Sequence, residues 1–125
     1  MNFPEDLHYT KDHEWIRVDG ATATIGISDY AQSELGDVVY VDITATDGMT
    51  QGSTFGSIEA VKTVSDLFAP ASGVLIEVNQ KIKDTPETIN KDPYGEGWIV
   101  KIKLSHPTQV NDLMDVAAYR TLVGH

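Results

Sequence analysis

Among the residues able to do chemistry, Lys62 stands apart by its surroundings. It lies in Gly56 to Gly73, GSIEAVKTVSDLFAPASG, where Phe55, Ile58, Ala60 and Val61 lead into it and Val64, Leu67 and Phe68 lead away. Gly56 closes one end of the stretch, and Pro70, Ser72 and Gly73 close the other, which predicts strand, tight turn and strand with the lysine at the tip. Between Arg17 and Lys81 it is the only basic residue, while Asp19, Asp29, Glu34, Asp37, Asp42, Asp47, Glu59, Asp66 and Glu77 share the interval. Three chemistries are open to such an amine. A solvated turn lysine is the commonest, since lysines are mostly exposed. A Schiff-base lysine needs burial or a neighbouring cation to depress its pKa, and Glu59 and Asp66 act in the opposite sense. The third fits better: an exposed amine at a hairpin tip is accessible to an enzyme that acylates it, turning the side chain into a long arm that carries a cofactor.

Other polar groupings offer less. Asp12, His13 and Glu14 could be read as a metal or acid-base cluster, but neighbours on a strand point to opposite faces, so only Asp12 and Glu14 would converge. The remaining histidines, His8, His106 and His125, have no ligand spacing, and no metal site is expected. Neither a Ser/His/Asp arrangement nor a phosphate loop is present, so the expectation is a protein that is not itself an enzyme.

The elements that must position Lys62 can be read in order. Met1 to Lys11 reads as a short arm in which Pro4 opens one helical turn. Trp15 to Val18 and Ala21 to Ile27 read as strands joined at Asp19-Gly20, with Ala23, Ile25 and Ile27 on the inner face. Asp29 and Gln32 resemble a capping box for a short helix that carries Ala31 and Leu35 and stops at Gly36. Val38 to Ile43 is a β-branched run followed by a turn at Asp47-Gly48. After the tip, Val74, Ile76 and Val78 alternate with Leu75, Glu77 and Asn79. Thr85-Pro86 suits a short helical turn, and Asp92-Pro93-Tyr94-Gly95 a loop. Trp98, Val100, Ile102 and Leu104 alternate with Ile99, Lys101 and Lys103 as the clearest strand. Two short helices follow, one near Pro107 with Val110, Leu113 and Met114, the other capped by Asp115 and carrying Val116, Tyr119 and Val123. This order predicts a mainly β barrel or sandwich with a small helical cover.

Composition narrows the class. The 125 residues suit a single domain spanning 1–125, and 41% hydrophobic with 22% charged residues is ordinary for a globular protein. No cysteine is present, so thiol chemistry must be imported. Nineteen acidic against nine basic residues give a net charge of -10, which argues against nucleic acid or an anionic membrane surface and suits docking on electropositive partners. No leader and no span-length apolar run is evident, so a cytoplasmic protein is the simple expectation, though a processed matrix protein would read the same; a monomer is expected.

The chain resembles the H-protein family of the glycine cleavage system, the lipoyl carriers, over nearly all its length. The resemblance rests on Asp12-His13-Glu14-Trp15, Ala23-Thr24-Ile25-Gly26-Ile27, Ala31-Gln32, Leu35-Gly36-Asp37-Val38-Val39, Glu59-Ala60-Val61-Lys62 with Ser65-Asp66, Ala69-Pro70 with Ser72-Gly73, and Pro93-Tyr94 followed by Gly97-Trp98-Ile99. It implies a lipoyl/biotinyl-type barrel-sandwich hybrid with two of its short helices C-terminal. It implies lipoate in amide linkage to Lys62, which removes one positive charge and takes the net charge from -10 to -11. The arm would carry the aminomethyl group of glycine from a pyridoxal-phosphate glycine decarboxylase to an aminomethyltransferase and be reoxidised by dihydrolipoyl dehydrogenase. Lipoyl-attaching enzymes are implied partners too.

The resemblance further implies a cleft that shelters the loaded arm, with Glu14 and Asp66 as acids facing a protonated amine. Glu59 and Asp66, flanking the tip, are candidates for recognition by the attaching enzyme or the partners. Relatives often have a histidine in the short helix where this chain has Tyr30 and Glu34, and the tail from Asp115 matches only loosely. Of the rivals, a biotin carrier typically has methionine on both sides of the lysine, where this chain has Val61 and Thr63. A lipoyl domain of a 2-oxoacid dehydrogenase would be followed by a linker and a catalytic domain, and this chain ends at His125. An H-protein-like lipoate relay, donating lipoyl groups to other enzymes, remains the alternative function.

Overall fold

The β-branched stretches fold as nine strands in two open antiparallel sheets that share one core. A computed structural model describes residues Met1–His125. The larger sheet has the order β1-β2-β3-β9-β8-β5, formed by His8–Tyr9, Glu14–Asp19, Thr22–Ile27, Val100–Leu104, Gly73–Val78 and Gly48–Met49. The smaller has the order β4-β6-β7, from Val38–Ile43, Thr54–Ala60 and Val64–Phe68. Ile16, Ile25 and Ile102 from one sheet meet Val41, Ile58 and Leu67 from the other in the main core. Short helices α1 (Asp29–Leu35), α2 (Gln80–Asp84) and α3 (Thr88–Lys91), a 3-10 turn at Pro107–Asp112 and α4 (Val116–Val123) complete it. The expected mainly β barrel-sandwich architecture, with two helical segments at the C-terminus, is what the chain adopts.

The β2–β3 hairpin turns at Gly20, whose φ of +62° is the left-handed conformation that glycine tolerates. Its alternation buries Ala23, Ile25 and Ile27 as expected. Trp15 pairs with Gly26 across the hairpin and is itself fully buried, its indole N–H donating to Pro93 O at 3.0 Å. A second core gathers Phe3, Leu7, Tyr9, Trp15, Tyr94 and Tyr119, with the Tyr9 and Tyr119 rings stacked at 4.4 Å between centroids. The N-terminal arm is therefore part of the interior. It makes a turn after Pro4 where a helical turn was expected, because Phe3 and Leu7 bury themselves and Tyr9 exchanges backbone hydrogen bonds with Met114.

Four further expectations need correction. The cap of α1 is Ser28, whose hydroxyl accepts from Ala31 N at 3.1 Å, while Asp29 sits in the first turn and accepts from the Gln32 amide. Helix α2 was not foreseen, since Asn79 caps it within what alternation reads as a strand end. Strand β9 begins at Val100 and not at Trp98, because Trp98 and Ile99 leave the preceding turn and both Ile99 and Val100 are buried. In β8 it is Leu75 that packs on the core while Val74 and Ile76 face out, and a bulge between Leu75 and Glu77 interrupts the alternation so that Val78 returns to the core side.

Trp15 gives the fold a sharp test. A Cβ at residue 26 would stand 2.6 Å from the Trp15 ring, inside any allowed contact. Gly26→Ala is expected to destabilise by about 1–3 kcal/mol through overpacking, read as a lower urea midpoint; an unchanged midpoint would show that the indole can yield.

Candidate functional site

Lys62 sits where the sequence pattern puts it, at the β6–β7 turn. Glu59 pairs with Val64, and Ala60 N donates to Thr63 O at 2.8 Å to close the turn. The tip is tied down from the side, since Val61 N donates to Asp37 O at 3.1 Å. Val61 is 75% exposed and Val64 61%, so the turn presents two apolar side chains beside an exposed lysine. The molecule's only ion pair joins Lys81 to Glu96, and the Lys62 amine is free of hydrogen bonds. Its stem runs past Gly36, the residue that ends α1 with φ +78°: a Cβ there would lie 3.4 Å from Lys62 Cε.

A cleft of about 150 Å³ begins at Leu35, the residue before Gly36. Leu35 and Glu34 of α1, Ile58 of β6 and Ser65, Asp66 and Leu67 of β7 line it, and Asp12, His13 and Glu14 close its far side. A larger groove of about 440 Å³ adjoins it, with Asp12 and Glu14 forming walls of both. Thr10, Phe68, Ala69, Leu113 and Met114 line this second space. Four carboxyl groups and no lysine or arginine line the smaller cleft, and burial lowers the pKa of His13, its one imidazole, so the field inside it favours a cation.

Glu14 is the buried member of this set, at 1% exposure. Thr10 Oγ1 donates to its Oε1 at 2.6 Å and Phe68 N to its Oε2 at 3.3 Å. Burial outweighs these hydrogen bonds and raises its pKa to about 7. Asp12 and Glu14 do converge, as walls of both spaces, but through a turn and not through the expected strand alternation. His13 has φ +75° and belongs to a turn in which its N–H donates to Thr10 O, so strand alternation begins only at Glu14.

His13 Nδ1 lies 2.9 Å from the Tyr119 hydroxyl, which lies 2.6 Å from Ser28 Oγ. Burial holds His13 below its usual pKa against the pull of Asp12 and Glu34. A neutral His13 accepting from Tyr119, and Tyr119 accepting from Ser28, uses every proton of the chain, since Ser28 Oγ already accepts from Ala31 N. Tyr119 in α4 thereby braces α1, which carries one wall of the cleft.

The structure brings Glu14 and Asp66 to one cleft, Glu14 buried and Asp66 exposed at the rim. Glu59 stands apart, in a cross-strand row with Tyr40 and Val64; a parallel row joins Asp42, Ser57 and Asp66. Sequence reasoning missed Thr10 and Phe68 as holders of the Glu14 carboxyl, and a backbone N–H carries no sequence signal. It also missed Glu34 as a cleft acid, although Glu34 lies within the helix it placed.

A family model described as "Glycine cleavage H-protein" matches residues 7–125. The chain is 52% identical to the glycine cleavage system H protein of Bacteroides thetaiotaomicron and 56% identical to that of Chlorobium luteolum, over 99% of each chain in both cases. A crystal structure of a glycine cleavage system H protein from Mycobacterium marinum is similar with a TM-score of 0.89 at 38% identity, covering 98% of this chain and 100% of that one.

Burial of Glu14 links stability to pH. Its carboxyl moves from an ordinary 4.5 to about 7 on folding, so between these values the unfolded chain releases a proton that the folded protein keeps. Its contribution is full below about 4.5, falls as pH rises and is lost above about 7, a span worth on the order of 3 kcal/mol. Urea denaturation should show wild type losing stability relative to Glu14→Gln across this window, with parallel curves above it. Parallel curves throughout would mean that Glu14 is ionised in the fold.

Proposed function

The chain belongs to the glycine cleavage H-protein family, and from that membership we propose that residues 1–125 act as one lipoyl-carrier domain with lipoate in amide linkage to Lys62. The observation that carries this reading is the Lys62 amine, exposed at an anchored tip and free of partners, its stem passing Gly36 next to the acid-lined cleft that begins at Leu35. Lipoate supplies reversible dithiol-disulfide chemistry, which this cysteine-free chain lacks. The cargo is the aminomethyl group of glycine, received from a pyridoxal-phosphate glycine decarboxylase and passed to an aminomethyltransferase, with dihydrolipoyl dehydrogenase as the third partner.

The chain's own residues present and shelter. The Lys62 stem passes the backbone at Gly36, where the φ of +78° that ends α1 favours glycine. Leu35, Ile58 and Leu67 offer apolar contact along the smaller cleft. Glu14 and Asp66 accept hydrogen bonds from a protonated amine, charge-assisted contacts worth about 1.5–3 kcal/mol each where shielded. An arriving ammonium favours the ionised form of Glu14, so docking of cationic cargo expels a proton. Glu59, outward with Tyr40 and Val64 close to the tip, suits recognition by the attaching enzyme, where an exposed charge acts chiefly on the rate of encounter.

Two variants test the reading. Lys62→Arg should fold, show no lipoyl mass increment and carry no aminomethyl group; lipoate found on Lys81 or Lys101, or full activity of the variant, would sink the assignment. Glu14→Gln should be lipoylated normally yet release ammonia and formaldehyde faster from the isolated loaded carrier. An unchanged release rate would remove Glu14 from the shelter.

A further inference from the structure

We propose that Asn90 is the positioning residue for Lys62: its amide fixes the Gly36–Val38 segment, and that segment fixes the tip that presents the amine. The Asn90 carboxamide spans two backbone groups of opposite polarity. Its Nδ2 donates to Gly36 O at 2.8 Å, and its Oδ1 accepts from Val38 N at 2.9 Å. Nδ2 also donates to Gln32 Oε1 at 3.1 Å, which ties α1 to the same amide. Between the two clamped residues, Asp37 turns its carbonyl to Val61 N at 3.1 Å, one residue before the lysine. Val38 pairs with Ala60 on the next strand, with a bulge between Val38 and Tyr40 that breaks the regular ladder at this place. The side-chain amide thus supplies backbone partners where strand pairing is irregular.

An amide satisfies this geometry at any pH, because one end must donate and the other accept, whereas an ionised carboxylate can only accept. Asn90 is held in turn by α3, where Ile89 is fully buried in the main core and Asp92 N donates to Thr88 O at 2.9 Å. A rigid path therefore runs from the core through Asn90 to Gly36 and Asp37, and ends at the turn carrying Lys62. Without the clamp, Gly36 keeps no side chain of its own to fix it, and its backbone is what the Lys62 stem passes.

The test has two readouts, of which only the second rests on the lipoyl reading of Lys62. In Asn90→Ala the Val61 amide should exchange with solvent about tenfold faster or more, while amides of β2, β3 and β9 keep their rates. The kcat/KM of a lipoyl-attaching enzyme for the protein should fall by about ten- to a hundredfold, since a misplaced reacting group loses that much. Asn90→Asp keeps the Val38 bond, loses the donor to Gly36 and should show the same changes if Asn90→Ala does not fold. Ile102→Val, a core variant remote from the clamp, gives the effect of lost stability alone. Wild-type exchange at Val61, wild-type lipoylation, or an equal fall in Ile102→Val would overturn the proposal. If wild-type protein accepts no lipoate, the reading of Lys62 fails while Val61 exchange still decides the clamp.

Discussion

The cleft depends on one backbone conformation, the left-handed turn at His13. An L-residue there is disfavoured by roughly 1–2 kcal/mol, and four hydrogen bonds hold it. His13 N donates to Thr10 O, Ser28 N donates to His13 O, Thr10 N donates to Glu14 O, and the imidazole meets Tyr119. Because the turn ends at His13, β2 begins with Glu14 directed inward, ahead of the buried pair Trp15 and Ile16. An extended chain through Asp12 to Glu14 would have set both acids on one exposed face. The turn instead separates them into an exposed acid and a buried one, and only the buried one has a raised pKa.

That turn also joins the two cores. Tyr119 stacks on Tyr9 inside the second core and reaches both His13 and Ser28. Ser28 caps α1, and α1 supplies Ala31, Glu34 and Leu35 to the cleft. The C-terminal helix thus supports a cleft wall without lining it. Its other contacts are structural: Asp115 caps its first turn, and Phe3 packs edge-on against the Tyr119 ring at 5.6 Å.

Much of the fold was legible because it follows local rules. Gly20 marks its hairpin, Gly36 ends its helix with positive φ, Asp115 caps α4, and the Val38–Ile43 strand coincides with its β-branched run. The tip at Lys62 was legible for the same reason. What escaped was nonlocal. Burial of Glu14 depends on a left-handed histidine, and although histidine is enriched among non-glycine residues at positive φ, such residues adopt it too rarely for the type alone to announce the turn. Ser28 outcompeted Asp29 as cap because Tyr119, far along the chain, satisfies the remaining hydrogen-bonding capacity of its hydroxyl. The bulge in β8 and the clamp at Asn90 likewise depend on partners that only tertiary contact supplies.

On the proposed reading, the same electrostatics let the cleft distinguish an empty arm from a loaded one. Amide formation removes the Lys62 charge, so an empty arm brings no cation to the carboxyl groups of Asp12, Glu34 and Asp66 and gains only apolar contact. Such contact is worth about 25 cal/mol per Å² of buried apolar surface, and a cleft this open buries little. A protonated amine adds attraction to every carboxylate of the wall, and most to Glu14, where water is excluded and the interaction is least screened. Ionising Glu14 to meet that amine is nearly free at neutral pH, because its pKa is already about 7. At higher pH the carboxylate is present beforehand and docking releases no proton; at lower pH the proton must be displaced and docking weakens. Occupancy of the cleft then follows the charge of the cargo, which keeps an unloaded arm free to meet its partners and a loaded one folded away.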